Sequence, residues 1–162
     1  MDFTTQLQTW TKGDITQGKW MVGIAVCILL PVAIFLMKSS YSLQRGMLLP
    51  VSLLFLMNVG YGGYLLFSKP KYVEERTAQF QINAEETIKT EITKIKADDR
   101  SYAMTKYIWA GLLIISVACF FVFKKEYFQG LSIGFAVMFL GMLLIDTFLH
   151  NRLKLYLAIL IE

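Results

Sequence analysis

Met47-Leu-Leu-Pro-Val-Ser-Leu-Leu-Phe-Leu-Met-Asn-Val-Gly-Tyr-Gly-Gly-Tyr-Leu-Leu-Phe67 contains no charged side chain. At roughly 1.5 Å of rise per residue, a helix of this length crosses a hydrocarbon core about 30 Å thick. Three further stretches have the same character: Trp20 to Met37, Tyr107 to Phe123 and Gly130 to Leu149. The only charge within any of the four is Asp146. Aromatic residues gather towards their ends, at Trp20, Tyr41, Tyr61, Tyr64, Tyr107, Trp109 and Tyr127, as they do at membrane–water interfaces. The expected fold is therefore an all-α integral membrane protein with four transmembrane helices.

Composition agrees. The 162 residues are 56% hydrophobic and 17% charged, with a mean hydropathy of +0.51. A soluble domain carries about a quarter charged residues to cover its core, so this balance argues against a soluble globular enzyme. It also argues against a disordered chain, and two cysteines are too few for a disulfide scaffold. Cys27 and Cys119 both fall inside spans and read as small buried hydrophobes.

Outward from the spans, the chain divides into five parts. Residues 1–19 form an N-terminal segment in which Phe3, Leu7 and Trp10 recur at helical spacing, suited to lie in the interface. Residues 20–67 form a first transmembrane hairpin, and residues 107–149 a second. Residues 68–106 form a water-exposed helical segment between them. Residues 150–162 begin polar and end apolar, and their apolar run is too short to cross. The first span reads as a retained helix rather than a signal peptide, because a long polar stretch precedes it. Pro50 falls in the first turn of the second span, whereas Pro31 falls mid-span and should kink the first. Trp20 and Trp109 open corresponding helices, and Lys38 with Tyr41 matches Lys124 with Tyr127 at the turns. That pattern fits a duplicated two-helix unit, although any membrane hairpin collects such residues at its edges.

Four spans place both termini and the central segment on one face. The short loops of the other face hold Lys38, Arg45, Lys124 and Lys125, and the other twelve basic residues lie on the first face. The excess of Lys and Arg makes that face cytoplasmic, in a plasma or inner membrane.

Few residues carry candidate chemistry. Asp146 is the intramembrane carboxylate, and His150 and Lys154 follow at four-residue steps on the same helical face. A carboxylate holding a histidine there would suit a proton relay or a general base. The structural alternative is a cap in which Asp146 pairs with His150, Arg152 or Lys106. Gly130, Gly134 and Gly141 form a small-residue stripe suited to close helix packing. Val59-Gly60-Tyr61-Gly62 spells part of a potassium-channel filter, but Ser68-Lys69-Pro70-Lys71 follows too soon for the second helix such filters require. It reads as a small-residue packing patch. No nucleophile motif, metal-ligand spacing or phosphate loop occurs, so no cofactor, metal or nucleic acid is expected.

In the central segment Tyr72, Val73, Arg76 and Phe80 suggest a short helix after Pro70, and Asn83 caps a longer one running into the third span. Along that helix Ile88, Ile92, Ile95, Asp99 and Tyr102 step at heptad spacing, with Glu91 among the solvated remainder. Ile88, Ile92, Ile95 and Tyr102 thus form a seam wanting an apolar partner, either the preceding short helix or a second polypeptide. Three functional classes follow. The leading one is a non-catalytic protein acting by binding, as a subunit, assembly factor or regulator; its partners are the bilayer and another membrane protein or a second copy. The others are an oligomeric conduit lined by Asp146, Asn58 and Gly60, and a membrane-surface enzyme using Asp146 and His150.

Overall fold

The computed structural model describes residues 3–161 and, across them, four long helices: α1 (Phe3–Lys38), α2 (Ser42–Ile82), α3 (Ala84–Val122) and α4 (Glu126–Ile161). Each is long and apolar enough to cross a membrane. Their connections are short, at residues 39–41, Asn83 and 123–125. Each helix joins one of the apolar stretches to a polar continuation of the same rod.

Heptad-like stripes explain the packing. Along α1 the buried positions include Phe3, Leu7, Trp10, Asp14, Gly18 and Met21; along α4 they include Gly130, Gly134, Met138, Met142, Asp146, Leu149, Leu153 and Tyr156. Steps of three and four put each set on one face. α1 packs on α2, α3 packs on α4, and α2 and α4 form the central pair. Glycine sets the closeness of that pair: a Cβ on Gly130 would lie 1.8 Å from the Leu43 carbonyl oxygen, and one on Gly46 2.1 Å from that of Tyr127. Gly18 and Gly62 make a second such contact between α1 and α2, each facing the other's carbonyl oxygen.

Continuity is the main departure from the sequence reading. The N-terminal segment is no separate interfacial element but the first turns of α1, with Leu7 and Trp10 buried. The C-terminal segment continues α4 and buries Leu153 and Tyr156. These residues meet Ile95 in one core, joined by Tyr72, Val73, Phe80 and Ile88. Phe3 stacks on Phe80 at 4.7 Å, so the start of α1 reaches the end of α2. Burying the apolar stripes against each other removes more surface from water than laying each on an interface. A polar half made of all four helices therefore extends from an apolar half, with both ends of the described chain in it.

The prolines also sit differently. α2 begins at Ser42, so Pro50 lies inside the helix and its ring fills the space beside Gly134. Pro70 does not start a new helix; α2 passes through it to Ile82. Its flanks are tied down by Lys69 on Asp14 and Tyr72 on Glu91, which offsets the hydrogen bond proline removes. At Pro31 the expected disturbance takes the form of a π-helical turn, Ala25–Leu29, closed by the Leu30 N–H on the Ala25 carbonyl. The wider turn makes room for the proline ring against the preceding turn. Asn83 caps α3 as the sequence suggests, its side chain accepting from the Glu86 N–H at 3.2 Å.

Candidate functional site

Acids, all but Asp99 buried, link the helices in tiers down the polar half and into the apolar one. Farthest from the apolar half is Glu91 of α3, which has no exposed surface. Tyr72 donates to it at 2.5 Å, Arg76 pairs with it at 3.3 Å, and Tyr156 donates at 3.5 Å. Burial pushes the phenols of Tyr72 and Tyr156 well above the ordinary tyrosine range, and the adjacent carboxylate adds to this. Lys94 lies 3.8 Å above the Tyr72 ring; partial burial lowers its pKa, because it penalises the ammonium form.

The next tier is Asp14 of α1, held by Lys69 at 2.7 Å and more loosely by Arg152 at 3.9 Å. Lys69 also sits 4.0 Å over the Trp10 ring. Below it, Asp99 of α3 meets His150 of α4 at 2.6 Å. A carboxylate only accepts, so His150 Nε2 carries the shared proton, while Nδ1 is buried without a partner. Tyr102 stacks on the His150 ring and its hydroxyl meets that of Tyr61 at 3.2 Å. Burial raises the Tyr102 phenol as well. Deepest, the Trp109 indole N–H donates to Asp146 at 2.8 Å.

The proposed polar cluster is thus divided. Asp146 and His150 are neighbours on α4, but each bonds to a different residue of α3, and Lys154 is exposed on the outside. None of His150, Arg152 and Lys106 is the hydrogen-bond partner of Asp146; Trp109 is. A one-turn step on one helix leaves both side chains facing α3, where Trp109 and Asp99, ten residues apart, supply the donor and the acceptor. The residues of the candidate docking seam also face partners within the chain: Ile95 is fully buried, Ile88 and Tyr102 pack on the same core, and Ile92 is half-buried. The seam expected to need a short helix or a second polypeptide closes against the extended ends of α1 and α4 as well as α2. Within the glycine stripe, Gly130 and Gly134 abut α2 too closely for a Cβ, whereas Gly141 stands at ordinary contact distance from Leu54. The Val59 to Gly62 fragment lies within helix, its Gly62 packed on Gly18. Of the conduit residues, the Asn58 amide donates to Leu54 O at 2.8 Å, and a Cβ added at Gly60 would stand in open space.

A groove of about 860 Å³ opens between α1 and α4, with Leu54 and Asn58 of α2 as its floor. Met21, Ile24, Leu144 and Ile145 make its walls, and Gln17, Asn151 and Arg152 its polar end. The Gln17 amide donates to the Ile145 carbonyl at 3.1 Å, leaving its own carbonyl oxygen buried and unbonded. At Gly13 the Arg152 side chain reaches across to α1, its guanidinium 2.8 Å from where a Cβ would stand. The π-helical turn ends at Leu29, in the far wall. Among the described residues, no three His, Cys, Asp or Glu cluster as metal ligands would. No protein-family model matches the chain, and neither a curated protein nor a solved structure matches it.

Sequence reasoning missed Asp14, Glu91 and the groove. Asp14 was within reach, since it falls in the Leu7, Trp10, Gly18, Met21 stripe. Glu91 was not: the buried face of α3 runs through Thr87, Glu91 and Ile95, and the isoleucine spacing points to a face rotated from it.

Proposed function

We propose that this chain is a small polytopic membrane protein acting by binding, as a subunit, assembly factor or regulator of a membrane complex. In this reading its four helices cross as two hairpins, with both termini on the cytoplasmic side of a plasma or inner membrane. The observation that carries it is the groove between α1 and α4, a preformed concave surface of the size that small ligands occupy. The polar groups support binding over catalysis. The Asp146 carboxylate accepts from an indole, and the His150 ring is 2% exposed with its outer nitrogen on Asp99. Neither residue lines the groove.

The test compares the native chain with Ile24→Trp, which fills the groove from a wall position that is 43% exposed and so accepts a larger ring. Both are extracted in mild detergent, and the intact complexes are weighed by native mass spectrometry. A bound molecule on the native chain, lost from Ile24→Trp at unchanged melting temperature, is the expected result. Bare chains in both samples would overturn the binding reading. Orientation is read separately by labelling Tyr41→Cys and Glu85→Cys in intact cells. Label on position 85 from outside reverses the proposed topology.

A further inference from the structure

Resting on that reading, we infer that the groove between α1 and α4 holds one phospholipid, its acyl chain against Met21, Ile24 and Leu144 and its anionic headgroup at Arg152. Three observations converge on this occupant. The first is depth. Trp20 marks the polar end of the apolar stretch and Leu29 the far end of the groove. The nine residues between them rise roughly 13 Å, close to half of a hydrocarbon core about 30 Å thick. The groove begins farther out, at Gly13, and the part of it beyond Trp20, one leaflet deep, fits a lipid tail from the leaflet nearest the ends of the described chain. A crossing helix from a partner would need an apolar groove twice as long, and beyond the apolar part the Arg152 side chain lies against Gly13.

The second observation is the order of the lining. Apart from Asn58 in the floor, whose amide is bonded to Leu54 O, the deep part is apolar, while Gln17, Asn151 and Arg152 gather at the shallow end beside Leu155, broadly the order of tail and headgroup along a lipid. The third is charge. Arg152 is the single charged residue among those lining the groove. Its nearest carboxylate oxygen, Asp14 Oδ1, stands at 3.9 Å, while Lys69 holds the other oxygen, Oδ2, at 2.7 Å, so the guanidinium charge is countered only at long range. Nε donates to the Phe148 carbonyl at a long 3.4 Å and Nη1 faces Asp14, so a phosphate would be met by Nη2 and by the charge of the group as a whole. A basic group in a cleft between membrane helices, at headgroup height, selects anionic lipids.

The experiment uses the full chain, delipidated in detergent and given equal amounts of phosphatidylglycerol, phosphatidylcholine and diacylglycerol of the same acyl composition. Retention is measured by native mass spectrometry for the native chain, Arg152→Gln and Ile24→Trp, with Leu144→Trp blocking from the opposite wall should Ile24→Trp melt early. One phosphatidylglycerol per native chain is expected, retained about tenfold more than phosphatidylcholine. Arg152→Gln should bring the two phospholipids level, and the blocking variants should retain neither. Equal retention of all three lipids by the native chain, abolished by the blocking variants, overturns the headgroup assignment and leaves the binding reading standing. Undiminished retention in both folded blocking variants overturns the groove as the site and the binding reading with it. A polypeptide held by the native chain and lost from the blocking variants, with no lipid retained, overturns the lipid assignment alone.

Discussion

At Glu91 a carboxylate without exposed surface is held by donors from two other helices: Arg76 and Tyr72 of α2 and Tyr156 of α4. A buried charge of this kind adds little compared with a well-packed apolar residue, yet breaking the set leaves its partners stranded. Glu91→Leu should therefore cost about 3–5 kcal/mol, and Tyr72→Phe about 1 kcal/mol, because only one hydrogen bond goes. Thermal melts in one detergent compare the three proteins. A Glu91→Leu protein melting with the native one would show that the acid is dispensable to the fold. Asp146 makes a parallel case with a neutral partner. Asp146→Leu strands the Trp109 indole N–H and should cost about 1–3 kcal/mol, most of it absent when Trp109→Phe has already removed the donor. Additive losses in that double-mutant cycle would mean that the observed bond stabilises nothing.

Between elements, the α2–α4 contact depends on glycine at particular positions. Gly130 and Gly141 look equivalent in sequence, being two small residues on one face. The structure separates them: a Cβ on Gly130 would run into the Leu43 backbone, and one on Gly141 would meet the Leu54 side chain at 3.5 Å. Gly130→Ala should force the central helices apart and lower the melting temperature by several degrees. Gly141→Ala should leave it unchanged or raise it slightly, since alanine is the better helix former. Equal losses would place both glycines in the same kind of contact. The contrast also shows what the sequence could tell. The four long apolar helices and the Asn83 cap were legible because hydropathy and capping act within a single segment. The partners of Asp146 and His150 were not, because α3 supplies them, and nothing on α4 encodes the rotation of α3. Glu91 was misread for the same reason: its own helix offers two candidate faces, and the choice is made by Arg76 and Tyr156.

For the molecule as a whole, three tyrosines outside the apolar stretches set a limit on the alkaline side. Tyr72, Tyr102 and Tyr156 are held neutral in the fold, while in the unfolded chain each ionises near pH 10, the ordinary tyrosine value. Above that pH the unfolded chain binds fewer protons than the folded one, so stability falls as pH rises. Below it their contribution is fully present. Lys94 acts with the opposite sign: its folded pKa is lowered from 10.5, so deprotonation relieves its burial as pH rises towards that value. Three phenols outweigh one ammonium, and net alkaline unfolding above about pH 10 is expected. Tyrosinate absorbance for these three should appear together with loss of helical circular dichroism. Their titration near pH 10 in a chain still fully helical would show them open to water.

The unbroken passage of each helix from the apolar half into the polar half also makes the protein a spacer. From Ser68 to Ile82, α2 climbs roughly 22 Å beyond its apolar stretch without a joint. Whatever meets the tip at Phe3, Phe80 and Asn83 is thereby held at a set height and a set bearing relative to the other end. One residue inserted after Phe67 would leave the height almost unchanged but turn the bearing by about 100°, swinging Tyr72 and Arg76 away from Glu91. A whole turn added to all four rods would move the tip outward and keep its bearing nearly the same. The chain can therefore change its reach in steps of a turn, and not of a residue.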